Sequence, residues 1–126
     1  MFTICKLLNC TVEVDREATG RWYAQAEDWG CQCGDCRKFV AMVKENLLPN
    51  RVRELLDLLD IPPSKATYVS LLDGRRLYQF SYRIAGNILS ADSAMDPLGR
   101  CCHETYPYGA PDFPTPHFDL EFFAEL

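Results

Sequence analysis

One stretch constrains the fold of this chain more than any other: residues 66–90 read as a hairpin. Residues 66–72 are an apolar, β-favouring run, and Asp73-Gly74 follows directly. A tight primed turn needs positive φ angles, which Asp and Gly tolerate, so this dipeptide between two strand-like runs specifies an antiparallel pair. The return strand, residues 76–90, sets Tyr78, Phe80, Tyr82 and Ile84 on one face and Gln79, Ser81 and Arg83 on the other. Side chains alternate across a strand, so the aromatic face is expected to pack and the polar face to stay wet.

The flanking segments supply what packs there. Residues 2–14 read as one strand, interrupted near Asn9, with Cys10, Val12 and Val14 alternating against Thr11 and Glu13. Residues 15–20 read as a polar turn, and 21–26 as a strand returning from the first, with Trp22, Ala24 and Ala26 on one side. Asp35 is placed to cap a helix in which Cys36, Phe39, Val40, Val43 and Leu47 share a face. Pro49 ends that helix and opens a second, striped by Val52, Leu55, Leu56 and Leu59 and stopped at Ile61-Pro62-Pro63. Residues 91–116 read as a long Pro/Gly-rich loop, and Phe118, Leu120 and Phe122 alternate with Asp119 and Glu121 in a last strand. The expected fold is α+β: a mostly antiparallel sheet of about four or five strands with two consecutive short helices packed on one face.

With 126 residues the chain fits one domain, 1–126, and can bury about two-thirds of its unfolded surface without needing a metal or disulfide to fold. A net charge of −5 argues against a general nucleic-acid binder, which needs cations to displace phosphate counterions. Basic pairs at Arg37–Lys38, Arg51/Arg53 and Arg75–Arg76 keep a nucleic-acid-associated module as a further reading, against solvated helix and turn faces. The tail beyond Arg100 carries acids without Lys or Arg and reads either as an acidic rim or as a surface for a basic protein partner. No apolar run of about 18 residues spans a membrane, and the N-terminus lacks the pattern of a signal peptide. Seven cysteines, two of them adjacent, then read as reduced thiols or metal ligands in a cytoplasmic protein.

Three of those thiols, Cys31, Cys33 and Cys36, fall within six residues at a loop-to-helix junction. Three readings stand. Thiolates are soft ligands, and Gly30 and Gly34 let successive sulfurs turn toward one ion, so the cluster is a candidate zinc site. Structural zinc wants four ligands, and Cys101, Cys102, His103 or Cys10 are the candidates for the fourth. Alternatively Cys33 is a redox nucleophile, its thiolate favoured by the helix dipole, with Cys36 as resolving thiol. In the third reading the cysteines are packed small hydrophobes with no chemistry. His103 and His117 lie in no triad pattern, and no phosphate loop, H-E-x-x-H or nucleophile elbow is present. The Tyr78/Phe80/Tyr82 face resembles base-stacking sheet faces, but packing against the helices is the plainer expectation.

Around the cysteines, residues 29–37 look like a thioredoxin active site, although the expected order of hairpin, two helices, hairpin is not that of thioredoxin. Residues 31–39, Cys-Gln-Cys-Gly-Asp-Cys-Arg-Lys-Phe, resemble a C-x-C-x-x-C-R-[N/K]-F signature of small uncharacterised bacterial and phage proteins. The resemblance continues through the second helix, residues 61–65, residues 82–88 and the Phe118-x-Leu120-x-Phe122 strand. It covers most of the chain from Trp22, excluding the long loop. Lys38 stands where that family usually has Asn. The resemblance implies one domain and no particular activity. The leading expectation is a non-enzymatic binding or accessory module with a structural, zinc-competent cysteine cluster. The alternative is a thiol–disulfide enzyme using Cys33 and Cys36.

Overall fold

A computed structural model describes residues 2–103 and 109–126. Among them the chain forms a six-stranded antiparallel sheet and three helices, an α+β fold. In chain order these are β1 (Thr3–Leu7), β2 (Cys10–Val14), α1 (Arg16–Gln25), α2 (Gly34–Lys44), α3 (Asn50–Leu58), β3 (Tyr68–Leu71), β4 (Leu77–Ala91), β5 (Gly99–Cys102) and β6 (His117–Glu125). The strand order is β1-β2-β4-β6-β5, with β3 also paired to β4. None of the described helices is long and apolar enough to cross a membrane.

The hairpin forms at Asp73-Gly74, but through a longer loop than the expected tight primed turn: the Leu72 N–H donates to the Leu77 carbonyl oxygen at 2.8 Å, and Asp73 does not take a positive φ. The Asp73 carboxylate accepts the backbone N–H groups of Arg75, Arg76 and Leu77 at 2.8–3.0 Å, and Gly74 takes φ +70. β4 is the axis of the sheet. Its first half pairs with β3 and β6 and its last residues pair with β2. At the changeover Gly86 has φ +147, and a Cβ there would lie 1.9 Å from the Glu13 carbonyl oxygen. Only glycine lets β2 approach so closely with that backbone. The two ends of the strand order meet on the far side, where the Cys101 sulfur lies 3.8 Å from the Leu7 carbonyl oxygen.

The aromatic face packs as expected. Phe39 of α2 lies with its ring centroid 5.7 Å from Tyr78 and 5.1 Å from Phe80, and Phe80 stacks on its cross-strand partner Phe122 at 5.5 Å. Val43, Val52 and Leu56 complete the helical side of this core. Buried aromatic pairs of this kind contribute about 0.5–1.5 kcal/mol each beyond their apolar area.

Three readings need correction. Residues 15–26 are neither turn nor strand but α1. Asp15 accepts the Ala18 N–H at 3.0 Å as N-cap, and the Thr19 hydroxyl accepts the Ala85 N–H at 3.0 Å, fastening the helix to β4. Local capping and burial of Ala18, Thr19 and Tyr23 outweigh the weak helix propensity of Gly20. The polar face of β4 is also not wet. Ser81, Arg83, Asp119 and Glu121 are all buried, because β6 aligns Asp119 with Arg83 and Glu121 with Ser81. Arg83 Nε donates to Asp119 Oδ1 at 2.8 Å, and Glu121 accepts from Gln79 and, at 3.3 Å each, from Arg100 and Cys102. The loop expected over 91–116 contains β5, and residues 104–108 of it lie outside the described residues.

Candidate metal centre

The cysteine cluster is built by the way α2 begins. Cys33 is extended, with φ −66 and ψ 156, and its sulfur accepts the Cys36 backbone N–H at 3.4 Å. Cys33, not Asp35, is thus the N-cap, and Asp35 sits in the acidic first turn. A helix leaves its first N–H groups without internal partners, and here a thiol takes one of them. The Tyr78 hydroxyl donates to the Asp35 carbonyl oxygen at 3.1 Å, which fixes the first turn of α2 against β4.

The loop before the helix is anchored with equal care. The Trp29 N–H donates to the Ser64 carbonyl oxygen at 2.9 Å, and the Ser64 hydroxyl donates to Asp28 Oδ1 at 2.6 Å. Asp28 also pairs with Lys44, at the far end of α2, at 2.9 Å. Ser64 and Lys44 together hold the Asp28 carboxyl below the usual carboxylate range. The Trp29 ring meets Tyr68 edge-on, with centroids 6.3 Å apart. Residues 28–36 are therefore pinned at both ends, which fixes where the sulfurs of Cys31, Cys33 and Cys36 can be.

They converge. The three sulfurs all lie within 4.8 Å of one another, with Cys31 and Cys33 exposed and Cys36 buried against the core. Two thiolates on one zinc ion, each at about 2.3 Å, sit no more than about 4.6 Å apart and about 3.8 Å apart in a tetrahedral site. Side-chain rotation that draws the sulfurs together by up to about 1 Å therefore lets all three reach a single ion. Among the described residues the buried Trp29 indole N–H has no hydrogen-bond acceptor of its own; it pulls the Cys36 thiol pKa down, and a thiolate there would satisfy it.

The two helix-mouth thiols differ in acidity. Hydrogen bonds from the Cys36 N–H and from the Cys36 and Cys31 thiols bring the Cys33 thiol below its ordinary value. Burial pushes Cys36 up to about 12, against the pull of the Trp29 indole. The exposed sulfur is the more acidic and the enclosed one the less.

The other candidate ligands are grouped elsewhere. Cys10 is buried on β2 and bonds to Asn9 Oδ1 at 3.5 Å. Cys101 faces it from β5, and burial first, then the Cys10 thiol, raises the Cys101 pKa. Cys102 donates to Glu121 Oε2 at 3.3 Å, and His103 follows β5 on the surface. Among the described residues, no fourth His, Cys, Asp or Glu joins Cys31, Cys33 and Cys36.

Beside the centre lies a cleft of about 1020 Å³ whose walls include Trp22, Trp29 and Tyr68 and whose rim stops at Gly30. Sequence reasoning missed this cleft, because it depends on α1, which read as a strand. It also missed Trp29 as a neighbour of the thiols. The signal available was its position two residues before Cys31. The chain matches no family model, no curated protein and no solved structure.

Proposed function

We propose that Cys31, Cys33 and Cys36 hold one zinc ion and that the domain is a non-enzymatic binding or accessory module built around that centre. The observation that carries this reading is the convergence of the three sulfurs within 4.8 Å on a loop held at both ends. An ion there would tie the 28–33 loop to the first turn of α2. The donor set fits, since thiolates are the soft ligands zinc accepts. Zinc has no redox chemistry and three thiolates more than offset its charge, so the ion is a poor Lewis acid and serves to hold the loop against the helix. The expected result is about one equivalent of zinc in protein purified without chelator, released by a thiol-reactive mercurial. Protein free of metal under those conditions that also fails to bind added zinc removes the reading.

One observation favours a second reading, thiol–disulfide exchange. Cys33 is exposed with its pKa lowered, and Cys36 is buried with its pKa raised, the asymmetry of a nucleophile and a resolving thiol. The Cys33 thiolate would attack a substrate disulfide, forming a mixed disulfide and expelling one substrate thiolate, which takes a proton. Cys36 would then attack Cys33, releasing the second substrate thiol and leaving a Cys33–Cys36 disulfide, to be reduced by a small thiol. Turnover of a small disulfide by the wild-type chain but not by Cys33→Ser is the expected result. Equal turnover by both variants ends this reading.

A further inference from the structure

We propose that the ion at Cys31, Cys33 and Cys36 takes its fourth ligand from outside the chain, and that this ligand is a thiolate. The inference rests on the metal reading above and goes beyond it in giving the centre an exchangeable position.

The argument begins with what surrounds the sulfurs. Cys36 closes the inner side, but Cys31, Gln32, Cys33, Gly34 and Asp35 are all exposed. A Cβ built on Gly34 would meet nothing within 4 Å, so the space over the helix mouth is open. Every cysteine and both histidines are among the described residues, and none of the remaining four thiols or two imidazoles joins the group. Cys10 and Cys101 face each other, and Cys102 is engaged with Glu121. Structural zinc sites are closed by four protein ligands, whereas a site with three keeps a position for a ligand from solution.

The chemistry of the three donors says what enters it. Three thiolates on a divalent ion leave the centre with a formal charge of −1, so the ion is a weak Lewis acid and a water bound there gains little acidity. The group also contains no carboxylate or imidazole among the described residues to take a proton from such a water. A soft, strongly bound donor matches the site better, and a thiolate is the soft donor of proteins and of small cellular thiols. Arg37 and Lys38, both exposed in the first turns of α2, offset the added negative charge, as does the helix N-terminus itself. The step is a ligand substitution: the metal–water bond breaks, a metal–sulfur bond forms, and the thiol proton passes to the buffer.

Cobalt(II) reads this directly, because each thiolate adds sulfur-to-metal charge-transfer absorption. The full chain, reduced and freed of small thiols, is loaded anaerobically with one equivalent of cobalt and titrated with glutathione. Expected is a three-thiolate spectrum in the monomer that gains about one third in charge-transfer intensity as a fourth sulfur binds. Light scattering on the same samples separates the two sources of that sulfur. A four-thiolate spectrum without glutathione in a dimer assigns it to a second copy of the chain, and the glutathione-dependent rise in a monomer assigns it to a small thiol. A four-thiolate spectrum in a monomer without added thiol overturns the proposal, as does a three-thiolate spectrum that glutathione leaves unchanged. In both of those cases the metal reading survives; failure to bind cobalt at all removes both.

Discussion

The Cys33 sulfur accepts the Cys36 backbone N–H at 3.4 Å, so one thiol of the cluster is also the N-cap of the helix that carries another. The thiol cluster and the start of the helix are thereby joined in a single hydrogen bond. A thiolate accepts that bond better than a thiol, and this bond above all brings the Cys33 thiol below its ordinary value.

The first prediction concerns reactivity. In the metal-free, reduced chain Cys33 should be alkylated by iodoacetamide ahead of Cys36, by peptide-resolved mass spectrometry. Labelling of Cys33 should rise with pH through a value below the ordinary thiol range. Cys36, exposed to reagent only weakly and pushed up to about 12, should stay unlabelled across that range. Because the ion binds thiolates, metal binding must displace protons, and affinity should fall as pH drops. Equal labelling of the two cysteines contradicts the arrangement at the helix mouth.

The Trp29 indole is the second test. Its buried N–H lacks an acceptor of its own among the described residues and pulls the Cys36 thiol pKa down. Outer donors to metal-bound thiolates hold the ligand in place, and losing one costs about 10–100-fold in metal affinity. Trp29→Phe keeps an aromatic ring at the position that meets Tyr68 and removes the indole N–H together with the second ring. A competition titration against a chromophoric chelator should show the loss while circular dichroism stays unchanged. Undiminished affinity would mean the indole takes no part.

Asp28 sets a pH dependence. Its carboxyl is held low by Ser64 and Lys44. A folded-state pKa below the unfolded value means stability that is present above about pH 4, the unfolded carboxylate value, and lost as pH falls through the lower folded one. The Lys44 pair is substantially exposed, so the effect on global stability should be under about 1 kcal/mol. Its local effect should be clearer: Asp28→Asn should raise hydrogen exchange in the 28–36 loop at neutral pH and remove the acid-induced rise expected of the wild type. An unchanged exchange profile would show that the loop is held by other contacts.

How much of this was legible in the sequence follows from which signals are local. The Asp73-Gly74 hairpin, α2, α3 and the alternation in β6 are written in adjacent residues, and the class α+β followed from them. The convergence of Cys31, Cys33 and Cys36 was legible for the same reason, since the three lie within one loop and one helical turn. Helix α1 was not, because Gly20 and a run of alternating residues masked an N-cap at Asp15 and the helical spacing of Ala18, Thr19 and Tyr23. The buried charges were illegible for a different reason. Arg83 and Asp119 each look like solvent-facing residues of an amphipathic strand, and only the β4–β6 register, 36 residues apart in the chain, makes them partners.

That register gives the last prediction. Arg83 and Asp119 have side chains only 2% and 1% exposed, joined by Nε to Oδ1 at 2.8 Å. Removing two charges from water costs several kcal/mol for each, and the pair attraction recovers this only with good geometry. Asp119→Ala leaves a buried guanidinium without its carboxylate and should cost about 3–5 kcal/mol. Arg83→Met combined with Asp119→Leu takes away both charges and keeps the volume, and such replacements are commonly neutral or stabilising by about 1–4 kcal/mol. The double variant should therefore be more stable than the single one, by urea denaturation with unchanged m-values. A double variant as unstable as Asp119→Ala would show that the guanidinium and carboxylate hold other parts of the chain in place, beyond neutralising each other.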